Sequence, residues 1–122
     1  MINDFVERWI NAWNNHDLKT VLSMYSEDIE FSSPRIKVNF PDNVSSKVTN
    51  KKDLEKHWSI AFSMHPHLHF ILKESIFHNN ICIIEYYAIL DGKTKTSVID
   101  KFELKDGLVI RSSAFYGANE PI

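Results

Sequence analysis

Four strand-like runs separated by two-residue turns fill the second half of this chain, and they restrict it to folds built on an antiparallel meander. The runs cover residues 67–77, 81–90, 93–104 and 108–116, and between them lie Asn79-Asn80, Asp91-Gly92 and Asp106-Gly107. Asn, Asp and Gly tolerate the positive φ of tight hairpin turns, so each separator predicts a reversal of direction. The first half reads differently. Phe5, Trp9 and Trp13, with Val6 and Ile10 beside them, recur at helical spacing behind a capping-box-like Asp4 and Glu7. Asn15-His16 interrupts that helix, and Asp17 can cap a second one with the stripe Leu18, Val21, Leu22 and Tyr25. A short strand over 29–33 stops at Pro34, a polar loop spans 39–50, and Asn50 caps a third helix carrying Leu54, Trp58, Ala61, Phe62 and His65 until Pro66 ends it. Three helices followed by a meander predict an α+β fold, a curved antiparallel sheet wrapped around three N-terminal helices, as a single domain over 1–122.

Composition excludes several functions. The 122 residues fit one core, and a net charge of −2 with 25% charged residues gives no electrostatic reason to bind nucleic acid. The densest lysine patch, residues 47–56, also carries Asp53 and Glu55 and reads as a solvated helix entrance. The lone Cys82 lies among Ile81, Ile83 and Ile84, which predicts a buried, unreactive thiol in a reducing compartment. Without a basic and apolar leader pattern or an apolar run of about 18 residues, the expected location is the cytoplasm, with no membrane partner.

The segments ERWINAWNNHD (residues 7–17), LKTVLSMYSEDIEFSSP (18–34) and VIDKFELKDGLVIRSSAFYG (98–117) resemble the ketosteroid isomerase branch of the SnoaL-like superfamily, whose fold is shared with nuclear transport factor 2. The resemblance spans nearly the whole chain and implies a cone-shaped domain with one enclosed pocket. In steroid isomerases of this kind one Asp moves a proton, while a Tyr and a second, protonated Asp stabilise the enolate oxygen; the isomerase is a standard example of a carboxylic acid held neutral by an apolar site. By position, the second Asp falls on Asp100, the Tyr on Trp9 and the proton-moving Asp on Ser33. Trp9 lacks a phenol's acidity, and Ser33 is no base near neutral pH without an activating group, so authentic ketosteroid isomerase activity is not expected.

Alternation along the strands gives the same pocket independently of the resemblance. Asp100 shares a face with Val98, Phe102 and Leu104, which places a carboxylate among apolar neighbours. Cys82, Ile84, Tyr86 and Ala88, then Ser112, Ala114 and Tyr116, fall on the inner face of adjacent strands. With Trp9, Trp13, Tyr25, Phe31, Ser33, Trp58 and Phe62 they predict an aromatic-rich enclosure for a small hydrophobic ligand. The competing expectation is that these rings fill the interior and that Asp100 bonds to a core hydroxyl or indole. Cavity size separates the two: about 300 Å³ or more favours a ligand site, whereas contact among Trp9, Phe102 and Tyr116 favours a filled one. The opposite face, with Ile83, Glu85, Tyr87, Ile89, Ile99 and Phe115, is apolar enough to predict a homodimer through the sheet.

His65, His67 and His69 alternate, and His57 lies two helical turns earlier; without a Cys or a carboxylate cluster they predict exposed or hydrogen-bonded histidines and no metal. A hydrolase or dehydratase would need His57 or His69 as its base. The reading reached from sequence is a pocket protein that works without a cofactor. It binds a cyclic or polyketide-like molecule and has isomerase or cyclase chemistry next to a carbonyl, with Asp100 as acid/base and Tyr86, Tyr116 and Trp9 holding or polarising an oxygen. The alternative is a non-catalytic ligand-binding or assembly module.

Overall fold

The order of elements follows from where the helical periodicity stops. A computed structural model describes residues 2–122, with side chains described from Asp4 onward. Helix α1 (Ile2–Asn14) turns Val6, Trp9 and Trp13 inward. Asp4 sits inside its first turn instead of capping it, where the helix dipole favours a carboxylate. Asp17 caps α2 (Leu18–Ser23), accepting from the Thr20 amide at 3.1 Å and the Thr20 hydroxyl at 2.6 Å. Tyr25 is not on that helix. It opens strand β1 (Tyr25–Ser32), captured where the Val109 amide donates to the Met24 carbonyl at 2.9 Å. A register break between Tyr25 and Glu30 hides the two-residue alternation of this strand, which is why its start reads as helical.

The stretch expected as plain loop contains two further elements, a one-turn helix α3 (Ile36–Asn39) and a two-residue strand β2 (Lys47–Val48). There are thus four helices among the described residues, not three. Helix α4 (Lys51–Met64) starts where the Asn50 side chain accepts from the Asp53 amide at 2.8 Å and ends before Pro66. Strands β3 (His69–His78), β4 (Ile81–Ile89), β5 (Thr94–Lys105) and β6 (Leu108–Pro121) form the expected meander, the last running five residues further than the sequence suggests. Positive φ at Asn79, Gly92, Asp106 and Gly107 bears out the turn signals.

The sheet order is β2-β1-β6-β5-β4-β3, and β1 runs parallel to β6, so the sheet is mixed and not purely antiparallel. The parallel pair arises because the last strand of the meander meets the first strand of the chain, a contact that no local pattern specifies. Breaks in register on β3 and between β5 and β6 introduce bulges, which bend and twist the strands around the helices. The Asn14 amide clamps the edge strand β3, donating to the Phe70 carbonyl at 2.9 Å and accepting from the Phe70 amide at 2.7 Å. No helix of the described residues is long and apolar enough to cross a membrane.

Candidate functional site

A cavity of about 80 Å³ lies between the inner face of the sheet and helices α1 and α4. Trp9 and Trp13 from α1, Tyr25, Phe31 and Ser33 from β1 and its end, Trp58 from α4, and Tyr86, Ala88, Asp100, Ala114 and Tyr116 from the meander all border it. Five expected pocket residues do not. Cys82, Ile84 and Phe102 are fully buried in the core, Ser112 is buried without a hydrogen-bond partner among the described residues, and Phe62 stacks on Trp13 with centroids 5.0 Å apart. The strands have finite length along the cavity, and those inner-face positions lie beyond its ends.

The volume is below the 300 Å³ expected of a drug-sized site, and Trp9 meets Phe102 edge-to-face at 5.4 Å. Aromatic packing takes up much of the interior: Trp9 also contacts Phe70 and Tyr86, while Trp13 contacts Trp58. The remaining space corresponds to about six waters, or to a ligand of about that many non-hydrogen atoms.

Asp100 forms the buried wall of this space. Only 4% of it is exposed, and its cross-strand neighbours are Ile84 and Ala114. The Tyr86 hydroxyl donates to Asp100 Oδ2 at 2.6 Å, and no cation pairs with the carboxylate among the described residues. Burial raises its pKa to about 7, with the Tyr86 hydrogen bond working in the opposite direction. Among the described residues no hydrogen bond to Oδ1 is formed, and Asp100 borders the cavity.

Trp9, expected to face a substrate oxygen, is committed elsewhere: its indole N–H donates to the Tyr25 hydroxyl at 2.9 Å. An indole has one donor, so Trp9 acts on the cavity through Tyr25. Among the described residues the Tyr25 proton has no acceptor, and the residue lines the cavity. Burial holds the Tyr25 phenol well above its ordinary pKa; the nearby Asp100 adds to this, and the Trp9 hydrogen bond opposes it.

The other end of the cavity reaches solvent beside the exposed Val38 and Met64, and its polar groups come from α3 and α4. Arg35 Nη2 donates to His65 Nε2 at 3.4 Å, and its guanidinium lies 6.0 Å from the Tyr116 ring centroid. Tyr116 is a rim residue, 40% exposed, whose hydroxyl meets Ser33. His57 is buried and lines the cavity, which its place in a helix did not reveal. Asn39 Nδ2 donates to its Nδ1 at 2.8 Å, which fixes the ring proton on Nε2. Burial, helped by Arg35, lowers the His57 pKa to about 4. A neutral ring whose only free lone pair is occupied is no general base, and His69 is exposed on β3, so neither supplies the base of a hydrolase.

His65 borders the cavity while His67 and His69 are exposed, and no group of three metal-ligating side chains occurs among the described residues. Cys82 is buried, and burial pushes its thiol up to about 11. Sequence reasoning missed Arg35, Asn39, His57 and His65 as cavity residues. The one sequence signal was the place of His65 on the helical face of Trp58 and Ala61, both of which line the cavity.

Residues 6–112 match the SnoaL-like domain family. A SnoaL-like protein of unknown function from Burkholderia thailandensis is 30% identical, with 96% of this chain and 94% of that one covered at a TM-score of 0.86. An NTF2-like protein of unknown function from Cytophaga hutchinsonii, 13% identical, covers 96% of this chain and 90% of its own at a TM-score of 0.73. A protein of ketosteroid isomerase-like fold from Catenulispora acidiphila, solved with trimethylamine, is 12% identical over 92% of this chain and 84% of that one, at a TM-score of 0.73. No protein of curated function matches the sequence. The family match over residues 6–112 and the 30% identity across nearly the whole of both chains make this chain a member of the SnoaL-like family, a pocket protein of NTF2-like fold.

Proposed function

We propose that this protein binds a small carbonyl compound and moves a proton at the carbon next to the carbonyl, with Asp100 as the acid/base. The observation that carries this reading is the buried Asp100 carboxyl, which lines the cavity and is held on one oxygen by Tyr86, with no hydrogen bond to the other among the described residues. A pKa of about 7 keeps both protonation states populated near neutrality, as general acid–base catalysis requires. Ionised Asp100 takes the α-proton through Oδ1; the C–H bond breaks, an O–H bond forms, and the electron pair moves onto the carbonyl oxygen. Tyr25 donates its free hydroxyl proton in a hydrogen bond to that oxygen, while Trp9 positions Tyr25 from behind. Return of the proton to another carbon of the conjugated system completes an isomerisation.

The cavity narrows the substrate. At about 80 Å³ it takes a single ring, not a steroid or a multi-ring polyketide. The test is conversion of 3-cyclohexenone to 2-cyclohexenone, followed by ultraviolet absorbance. The wild type is expected to accelerate it, and Asp100→Asn to lose about 10²- to 10⁴-fold of that rate. A wild-type rate no greater than that of the Asn variant overturns the reading in favour of the non-catalytic module, which the dense aromatic packing favours. A Δ5-3-ketosteroid is expected to show no turnover.

We also propose that two copies pair through the outer sheet face. Ile99 and Phe115 are exposed there beside the half-buried Ile83 and Ile89, and Tyr87 lies between Lys73 and Lys95, each ammonium 4.4 Å from the ring centroid. Sedimentation should give a dimer at micromolar concentration and a monomer for Tyr87→Glu; a monomeric wild type rejects the pairing.

A further inference from the structure

Arg35 is a cation at the rim of an otherwise apolar cavity, and the proton-transfer reading gives it no role. It forms no ion pair among the described residues; the ion pairs there use Glu30, Glu85, Glu103 and Glu120. Among the described residues its guanidinium has one polar partner, the imidazole of His65, and its other neighbour is the face of Tyr116. An imidazole that accepts a hydrogen bond from a guanidinium is neutral, so the positive charge of Arg35 is uncompensated. The charge is felt in the cavity, since it opposes protonation of both His57 and His65. His65 and Tyr116 restrict the guanidinium without neutralising it, leaving donors of the fork unused.

We propose that Arg35 anchors a carboxylate of the substrate, which makes the natural substrate a small, one-ring-sized carbonyl compound carrying a carboxylate. The carbonyl half of that description rests on the proton-transfer reading above; the carboxylate half stands on the rim geometry alone. A carboxylate is favoured over a phosphate because Arg35 is the one lysine or arginine in the cavity lining, and a single planar fork matches one carboxylate in bidentate fashion. The ring then enters the apolar space among Trp13, Trp58 and Ala88, with its reacting carbon toward Asp100. Charge at the rim and apolar surface within also set the direction in which such a molecule enters.

The test uses benzoate and its neutral isostere benzamide as probes, followed through the indole resonances of the cavity tryptophans Trp13 and Trp58. Wild type is expected to bind benzoate about tenfold or more tightly than benzamide. Arg35→Gln should abolish the preference, and Arg35→Lys should retain part of it by keeping the charge without the fork. Equal affinity for the two probes, absence of benzoate binding at millimolar concentration, or a preference that survives Arg35→Gln overturns the proposal. The two readings separate cleanly: a benzoate preference without isomerisation of 3-cyclohexenone removes the proton-transfer reading and leaves the anchor, whereas isomerisation without the preference removes the anchor alone.

Discussion

Asp100 on the wall of the cavity and His57 near its rim are both titratable, both buried and both shifted towards their neutral form by burial, yet only one fits the role proposed for it. Asp100 is 4% exposed and His57 5%, and the pKa of each moves in the direction that disfavours charge, to about 7 and about 4. The difference lies in their partners. Tyr86 bonds one oxygen of Asp100 and no hydrogen bond to the other occurs among the described residues, whereas Asn39 fills the one basic lone pair that neutral His57 has. Burial shifts a pKa, but a shifted group can exchange a proton with a ligand only through a lone pair that no protein donor occupies. Strand and helix supply these partners differently. Asp100 and Tyr86 come from adjacent strands whose register fixes them, while His57 depends on a one-turn helix in an irregular segment.

The contrast gives two stability predictions with opposite pH slopes. For Asp100 the folded pKa of about 7 exceeds its reference of 3.8, so the native state holds the proton more tightly. Its contribution is fully present below about pH 4 and is lost as pH rises towards 7. Asp100→Asn should therefore gain stability relative to wild type over that window, on the order of 4 kcal/mol by pH 7.5 at the upper limit. Denaturant unfolding at pH 4.5, 6 and 7.5 measures it. A constant loss of about 1 to 3 kcal/mol for the Asn variant at all three values would instead identify Asp100 as a structural anchor for Tyr86.

For His57 the sign reverses. Its folded pKa of about 4 is below its reference of 6.5, so stability present above pH 6.5 is lost as pH falls towards 4. His57→Gln removes the titrating ring, and relative to wild type it should gain up to about 3 kcal/mol between pH 6.5 and 4.5. Because the two windows overlap, the wild type sums opposing slopes, and each variant exposes the other group. A His57→Gln difference that does not change with pH would show that the ring titrates normally and is open to water.

How much of this was legible in the sequence divides along the same line. Tyr86, Asp100 and Ala114 were readable because strands alternate faces and hairpin turns lock neighbouring strands in register, so a residue's number determines its side. The turn chemistry at Asn79, Asp106 and the two turn glycines was readable for the same local reason. The parallel pairing of β1 with β6 was not, because it joins segments about eighty residues apart. Nor was the commitment of Trp9 to Tyr25, since the register break that carries Tyr25 out of the helical pattern depends on that pairing. Arg35 and Asn39 lie where neither helical nor strand periodicity applies, and only the folded chain brings them to the cavity, where they meet His65 from the end of α4 and His57 from its interior. The resemblance to steroid isomerases placed Trp9 and Ser33 at functional positions, but it could not show that the phenol facing the cavity is supplied from β1.

The smallest effect separates Tyr25 from Trp9. Tyr25→Phe removes the hydroxyl assigned to the substrate oxygen and leaves the Trp9 N–H buried without an acceptor. Loss of one oxyanion donor should lower turnover of 3-cyclohexenone by about 10²-fold, with little change in KM, because the bond strengthens as charge develops on the oxygen. The orphaned indole should cost about 1 to 3 kcal/mol of stability. Adding Trp9→Phe to that variant removes the unsatisfied donor, so part of the stability is expected to return, less the packing that the larger ring provided against Phe70, Tyr86 and Phe102. Turnover is expected to stay low, since the hydroxyl proposed to polarise the substrate oxygen is still missing. A double variant that regained activity along with stability would show that the loss in Tyr25→Phe came from strain around Trp9, and the polarising role would then pass to Tyr116 at the rim, the other phenol on the cavity without a carboxylate to hold it.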